Sequence, residues 1–264
     1  MCRMAGYVGV PRTLDALLFV PPRSLTEQAH TPREQLHGTV NVDGTGVAWW
    51  PDHAAGPLRY ATCSPPWADE NLIELAPALH ARAMIAAVRG ATPGVAGGRG
   101  AVAPFTVADL AIAHNGWLGG FHEHVAPRLL EDLPAAHLGD LDVLTDSRLL
   151  ALHIAARRRS GIDLLDTVGE TLHHVGEICR ALQQPATLNL LVSDGRRLVG
   201  ARASIGGPCN SLYVLADAEP PWTDGALIAS EPLDDRPWEA VPPDHLVEVT
   251  PAGTRTVPLG LDAA

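Results

Sequence analysis

The chain has 264 residues, 46% of them hydrophobic and 19% charged, with a formal net charge of −11. That length accommodates one large core or two small ones, and no stretch approaches the roughly 18 apolar residues of a membrane span. The acidic balance argues against nucleic acid and anionic membranes as partners.

The opening segment, MCRMAGYVGVPR, lacks the basic region, apolar core and small-residue cleavage site of a secretory signal, so a cytoplasmic location is expected. Residues 38–50, GTVNVDGTGVAWW, read as a glycine-containing strand pair or one strand with a bulge. Within 70–89 the pattern predicts a short helix followed by a buried strand around Met84–Val88. Residues 90–104 form a loop rich in Gly, Ala and Pro. The run 106–113 then reads as a strand leading into a polar turn, His114-Asn115-Gly116.

Two helices are predicted next. The first covers about 143–158, with Thr145 and Asp146 in its first turn and Arg157-Arg158-Arg159 at its end, the charge order that suits a helix dipole. The second covers about 163–183, opened by Asp163, with Leu164, Leu165, Val168, Leu172, Val175, Ile178 and Leu182 at helical spacing. After Pro185, two apolar runs flank Asp194-Gly195-Arg196, a hairpin signal. Short strands follow at 211–216, 225–230 and 245–250. Strands, then two helices, then more strands predict an α+β fold of mostly antiparallel sheets with helices outside. No linker divides it, and residues 2–264 read as a single domain.

The four cysteines, Cys2, Cys63, Cys179 and Cys209, form neither a disulfide framework nor a CxxC pair. Cys2 stands directly behind Met1, and initiator methionine is removed ahead of side chains of this size. The mature chain would then begin with a thiol and a free α-amine. The thiol is a strong nucleophile, and an α-amine of pKa about 7.7–8.0 takes and returns a proton near neutral pH.

Acyl transfer at such a thiol also needs donors for an oxyanion, a cation for a substrate carboxylate and an anion for a substrate ammonium. The Asn115 amide with the Gly116 N–H could supply the first, Arg89 the second and Asp146 the third. Taken singly, each has a plainer reading: Asn-Gly is a common turn, Arg89 is a strand-end arginine reaching solvent, and Asp146 serves the helix dipole.

Together these pieces resemble the class II glutamine amidotransferase domain of the N-terminal-nucleophile hydrolases. The resemblance is carried by Met1-Cys2-Arg3, Asn41-Val42-Asp43-Gly44-Thr45-Gly46-Val47, Arg89-Gly90-Ala91-Thr92, His114-Asn115-Gly116 and Thr145-Asp146-Ser147, in the family's order and at about its spacing. It implies a four-layer α-β-β-α sandwich. It also implies Cys2 as nucleophile with its own amine as base, and an oxyanion hole from Asn115 and Gly116. The implied glutamyl-binding set is Arg89 and Thr92 for the carboxylate, Asp146 for the ammonium, and His114. Gly90 and Pro93 stand where the larger amidotransferases have Trp and His. With Ser230-Glu231-Pro232-Leu233-Asp234, this points to the short, stand-alone branch that hydrolyses γ-glutamyl amides in ergothioneine biosynthesis. Met4 departs from that branch, which often has His there.

The resemblance implies γ-glutamyl-hercynylcysteine sulfoxide as a small-molecule substrate. It leaves open a glutaminase subunit that feeds ammonia to a partner synthetase, and a non-catalytic scaffold. Trp49, Trp50, Trp67 and Trp117 are candidates to hold the trimethylammonium group of the leaving amine, or else pack the core and its rim. No cofactor or metal is expected, since none of the 12 histidines has a convincing metal-ligand pattern. Gly97-Gly98-Arg99-Gly100 lacks the ending of a phosphate loop and is read as a flexible lid. Oligomeric state stays open, a homo-oligomer included.

Overall fold

The computed structural model describes residues 2–51, 54–91, 97–216 and 222–261. In chain order it begins with β1 (Arg3–Thr13), the short helices α1 (Asp15–Leu18) and α2 (Leu25–His30), β2 (Thr45–Trp49), β3 (Leu58–Thr62), α3 (Glu70–Leu75) and β4 (His80–Val88). The middle holds β5 (Phe105–Val107), β6 (Leu110–Leu118), α4 (Ala126–Asp132), α5 (Asp146–Arg158) and α6 (Leu164–Ala181). Eight strands close the chain: β7 (Ala186–Ser193), β8 (Leu198–Arg202), β9 (Ser204–Ile205), β10 (Tyr213–Leu215), β11 (Gly225–Ala229), β12 (Glu239–Ala240), β13 (His245–Thr250) and β14 (Gly253–Pro258).

The strands form two antiparallel sheets. The first runs β12-β10-β11-β1-β4-β2-β3 and the second β14-β13-β8-β7-β6-β5, with β9 attached to β7. A core including Met4, Val8, Ile85, Ile112, Leu190 and Leu212 lies between the sheets and continues under α5 and α6. A second core on the far side of the first sheet joins Ala5, Tyr7, Met84 and Ala86 to Leu17, Leu25 and Leu72 of the first three helices. The result is helix, sheet, sheet, helix: the α+β four-layer sandwich expected. Among the described residues no helix is long and apolar enough to cross a membrane.

The two long helices start where expected because each carries its own cap. Thr145 Oγ1 accepts the Arg148 N–H at 3.1 Å, and Asp163 Oδ1 accepts the Leu165 N–H at 3.0 Å. The apolar stripe of α6, from Leu164 to Cys179, is buried against the second sheet. The hairpin at Asp194-Gly195-Arg196 is present between β7 and β8, with Gly195 at φ 82°.

Two expectations need correction. Residues 38–50 yield the single strand β2, whose antiparallel partners are β3 and β4. More consequential, His114-Asn115-Gly116 is not a turn. The turn comes earlier, at Ala108-Asp109 between β5 and β6, and the triplet lies inside β6, paired with Leu190, Asn189 and Leu188 of β7. A residue pair that usually marks a turn is overridden here by a full cross-strand ladder.

Candidate active site

Cys2 immediately precedes β1, fourth of seven strands in the first sheet. Arg3 pairs with Val88 of β4, so Cys2 faces the end of β4, where Arg89 follows. Alternation along β1 puts Arg3, Ala5 and Tyr7 on one face and Met4 on the face toward the second sheet, where Cys2 belongs by parity. Arg3 is fully buried and donates through Nη1 to Glu231 Oε1 at 3.0 Å. Burial lowers its pKa, and the neighbouring Glu231 and Cys2 oppose that shift. Glu231 in turn accepts the N–H groups of Arg33 and Glu34 at 2.9 and 3.1 Å. The end of β1 is therefore anchored one residue after Cys2.

Arg89 is 8% exposed and its backbone is strapped to the loop before β2. The Arg89 N–H donates to the Gly44 carbonyl at 2.8 Å and its carbonyl accepts the Asp43 N–H at 2.9 Å. The Asp43 carboxylate accepts the Ala91 N–H at 2.7 Å. This is the structural use of the Asp43-Gly44 motif. Thr92 lies outside the described residues.

The second sheet supplies the facing wall. Gly116 is required by a close approach: a Cβ there would lie 1.9 Å from the Thr187 carbonyl oxygen and 2.5 Å from His114 Nε2. His114 donates through Nε2 to that carbonyl at 3.0 Å, while its Nδ1 is 2.9 Å from Ser147 Oγ. Ser147 Oγ is also 3.1 Å from Asp146 Oδ1, so the hydroxyl bridges the imidazole and the carboxylate. Asp146 further accepts the Ser147 N–H at 2.6 Å and the Leu118 N–H at 3.1 Å. β6 and the start of α5 are thereby locked together around this carboxylate.

Asn115 is fully buried, and neither Nδ2 nor Oδ1 has a hydrogen-bond partner among the described residues. An unsatisfied buried amide costs free energy and calls for an explanation. A donor held in reserve for an oxyanion is one.

One cleft is lined by Cys2, Arg89, His114, Gly116 and Asp146, with Thr145 and Ser147. Its other walls include Ala101, Ala103, Phe105, Trp117, Phe121 and His122. Of the four tryptophans that could meet the leaving group, Trp117 reaches this cleft; Trp50 lines a different groove with Arg82, Arg158 and Asp194. Trp49 and Trp67 line neither. The other cysteines are elsewhere, and burial in α6 pushes the Cys179 thiol up to about 11.

Sequence reasoning missed Arg59. Its guanidinium donates to the carbonyls of Pro104 at 2.6 Å, Arg99 at 2.9 Å and Val102 at 2.5 Å, gathering the segment that supplies Ala101 and Ala103. Nothing local marks an arginine that binds three carbonyls about 40 residues away.

A thiol, a buried arginine and a held carboxylate share one cleft of a two-sheet sandwich, with the unpartnered Asn115 amide buried in the adjoining strand. The family description "Glutamine amidotransferases class-II" matches residues 28–223, and the chain belongs to that family. The chain is 35% identical to the γ-glutamyl-hercynylcysteine sulfoxide hydrolase of Mycolicibacterium smegmatis, over 98% of this chain and all of that protein. It is 37% identical to the protein of the same name from Mycobacterium tuberculosis, over 96% of this chain and 94% of that one. A solved glutamine aminotransferase class-II domain protein from Silicibacter pomeroyi shares the fold at TM-score 0.72 and 21% identity, covering 97% of this chain and 98% of its own.

Proposed function

We propose that this chain is an amidohydrolase that cleaves γ-glutamyl-hercynylcysteine sulfoxide to glutamate and hercynylcysteine sulfoxide, a step of ergothioneine biosynthesis, by way of a Cys2 thioester. The observation that carries the reading is the cleft lined by Cys2 and Arg89 at strand ends of the first sheet, by Gly116 of the second and by Asp146 at the start of α5. The names of the two mycobacterial relatives support the choice of substrate. The whole of 2–264 serves as one catalytic domain in this reading.

Removal of Met1 frees the Cys2 α-amine to act as base. The thiolate attacks the γ-carbonyl of the substrate. The negative charge that develops on oxygen is met by the Asn115 amide and the Gly116 N–H, groups fixed in a strand before the reaction begins. The α-ammonium of Cys2 then protonates the departing amine. Water attacks the thioester, glutamate leaves, and the thiol is restored. Arg89, with Thr92, takes the substrate α-carboxylate, and Asp146 takes its α-ammonium. Both ring nitrogens of His114 are engaged, so it serves glutamyl binding by holding Ser147 and, through it, Asp146. Trp117 offers an aromatic face to the trimethylammonium of the leaving group. The reaction requires no cofactor and takes place within the cytoplasm.

A paired assay tests this. The purified protein is given free glutamine in one arm and the γ-glutamyl hercynylcysteine conjugate in the other. Glutamate is expected from the conjugate and should disappear in Cys2→Ala. Release from glutamine alone would favour an ammonia-supplying subunit and sink the proposal. Intact mass should show the loss of Met1; retention would remove the proposed base.

A further inference from the structure

The two halves of the site belong to different sheets. Cys2 and Arg89 lie at strand ends of the first sheet, while Asn115 and Gly116 lie in β6 of the second. The sheets meet across an apolar core, and hydrophobic contact is non-directional. Transition-state stabilisation needs donors placed to a fraction of an ångström. Something directional is required between the nucleophile's strand and the oxyanion strand.

One buried polar chain spans that interval. Asn210 donates through Nδ2 to the backbone carbonyl of Asn115 at 2.8 Å. Asn189, the cross-strand partner of Asn115 on β7, donates through Nδ2 to the carbonyls of Asn210 and Ser211 at 3.0 and 3.2 Å. The Ser211 hydroxyl donates to the Ser230 carbonyl at 2.7 Å. Ser230 closes the path onto β1: its Oγ accepts the Met4 N–H at 3.0 Å, and its own N–H donates to the Met4 carbonyl at 2.9 Å. Asn115, Asn189, Asn210 and Ser230 are all fully buried. Three buried asparagine amides are a costly way to fill a core unless their geometry is needed.

We propose that the Asn210-Ser211 segment, seated by Asn189, is a strut that sets the position of Asn115 relative to Cys2. Asn210 is then a positioning residue of the reaction. It touches no substrate and acts only through Asn115. The inference rests on the proposed hydrolase function and on Asn115 as the oxyanion donor.

The test is a double-mutant cycle on the γ-glutamyl hercynylcysteine conjugate, using Asn210→Ala, Asn115→Ala and the double variant, with Tm measured for each. Asn210→Ala should lower kcat by about 10–100-fold with KM unchanged, the effect of a displaced catalytic group. Asn115→Ala should lower kcat by about 100–1,000-fold, and the double variant should be no slower than Asn115→Ala alone. A purely structural role predicts a lower Tm with unchanged kcat per folded molecule. Wild-type kcat in folded Asn210→Ala, or losses that multiply in the double variant, would overturn the strut. Ser211→Ala severs the same path at a hydroxyl and decides the matter if Asn210→Ala does not fold: its kcat loss must vanish in the Asn115→Ala background. Full activity in Asn115→Ala, or none in the wild type, would instead bring down the reading of the site, and the strut with it. A loss in Asn115→Ala beside unaffected Asn210→Ala and Ser211→Ala overturns the strut alone.

Discussion

Replacing Asn115 by leucine should make the protein more stable and nearly inactive at once. The two side chains share the same branched skeleton of four heavy atoms, so no cavity opens. The Asn115 carbonyl keeps its bond from Asn210, so the backbone stays in place. What changes is that two buried polar atoms without partners become methyl groups. Burying an amide unsatisfied costs about 1–3 kcal/mol on mutational scales. At about 2–4 °C per kcal/mol for a chain approaching this size, Tm should rise by about 2–12 °C. In the same sample kcat should fall by about 100–1,000-fold, the loss of one oxyanion donor, or about 3–4 kcal/mol of barrier. Thermal melting and initial rates on one preparation measure both. A lower Tm with lost activity would show that the amide is part of the scaffold and not held in reserve. Retained kcat would remove Asn115 from the chemistry altogether.

Arg89→Lys should raise KM by about 10–100-fold with a smaller change in kcat, because an ammonium does not reproduce the two-pronged grip of a guanidinium on a carboxylate; an unchanged KM in steady-state kinetics would place the substrate carboxylate elsewhere. Gly116→Ala should lower the denaturant midpoint and abolish activity together, since the new methyl meets the Thr187 carbonyl at 1.9 Å and displaces His114; a wild-type midpoint would contradict the described register of β6 and β7. The protein should also lose stability on acidification because of His153. Its Nε2 donates to the Leu129 carbonyl at 2.9 Å, and burial lowers its pKa from 6.5 to about 4. Between those values the unfolded chain binds a proton that the folded chain refuses, so the contribution of this group falls as pH drops from about 6.5 to 4 and is flat below. The shift corresponds to on the order of 3 kcal/mol. Unfolding free energies across that range should show the slope in the wild type and lose it in His153→Gln.

The parts of the fold legible in the sequence are those with local signals. α5 and α6 announce themselves by Thr145 and Asp163 at their starts and by apolar spacing, and the β7–β8 hairpin by Asp194-Gly195. β1 does not, because both its faces are buried and Arg3-Met4-Ala5-Gly6-Tyr7-Val8 shows no alternation. Cys2, Arg89, His114, Gly116 and Asp146 can be named from the sequence and do line one cleft, yet the dipeptide Asn115-Gly116 misleads about its own conformation. A turn is sound chemistry for that dipeptide in isolation. Only the pairing with Asn189 and Leu188, more than 70 residues away, shows that it lies in a strand. Asn210 and Arg59 are invisible for the same reason: their partners, Asn115 and the 99–104 carbonyls, are 95 and about 40 residues distant.

The anchoring of Arg3 has a practical consequence. The first residues of a domain usually fray, whereas here the position after Cys2 is pinned by a buried ion pair and by pairing with Val88 of β4. Cys2 thus inherits the stiffness of a central strand, and as the proposed nucleophile it has little motional freedom left to lose when substrate binds. Anything attached ahead of Cys2 continues from the end of that central strand, at a residue that lines the cleft. An uncleaved affinity tag at the amino end is therefore expected to silence the enzyme even where the fold survives, so purification handles belong at the carboxyl end.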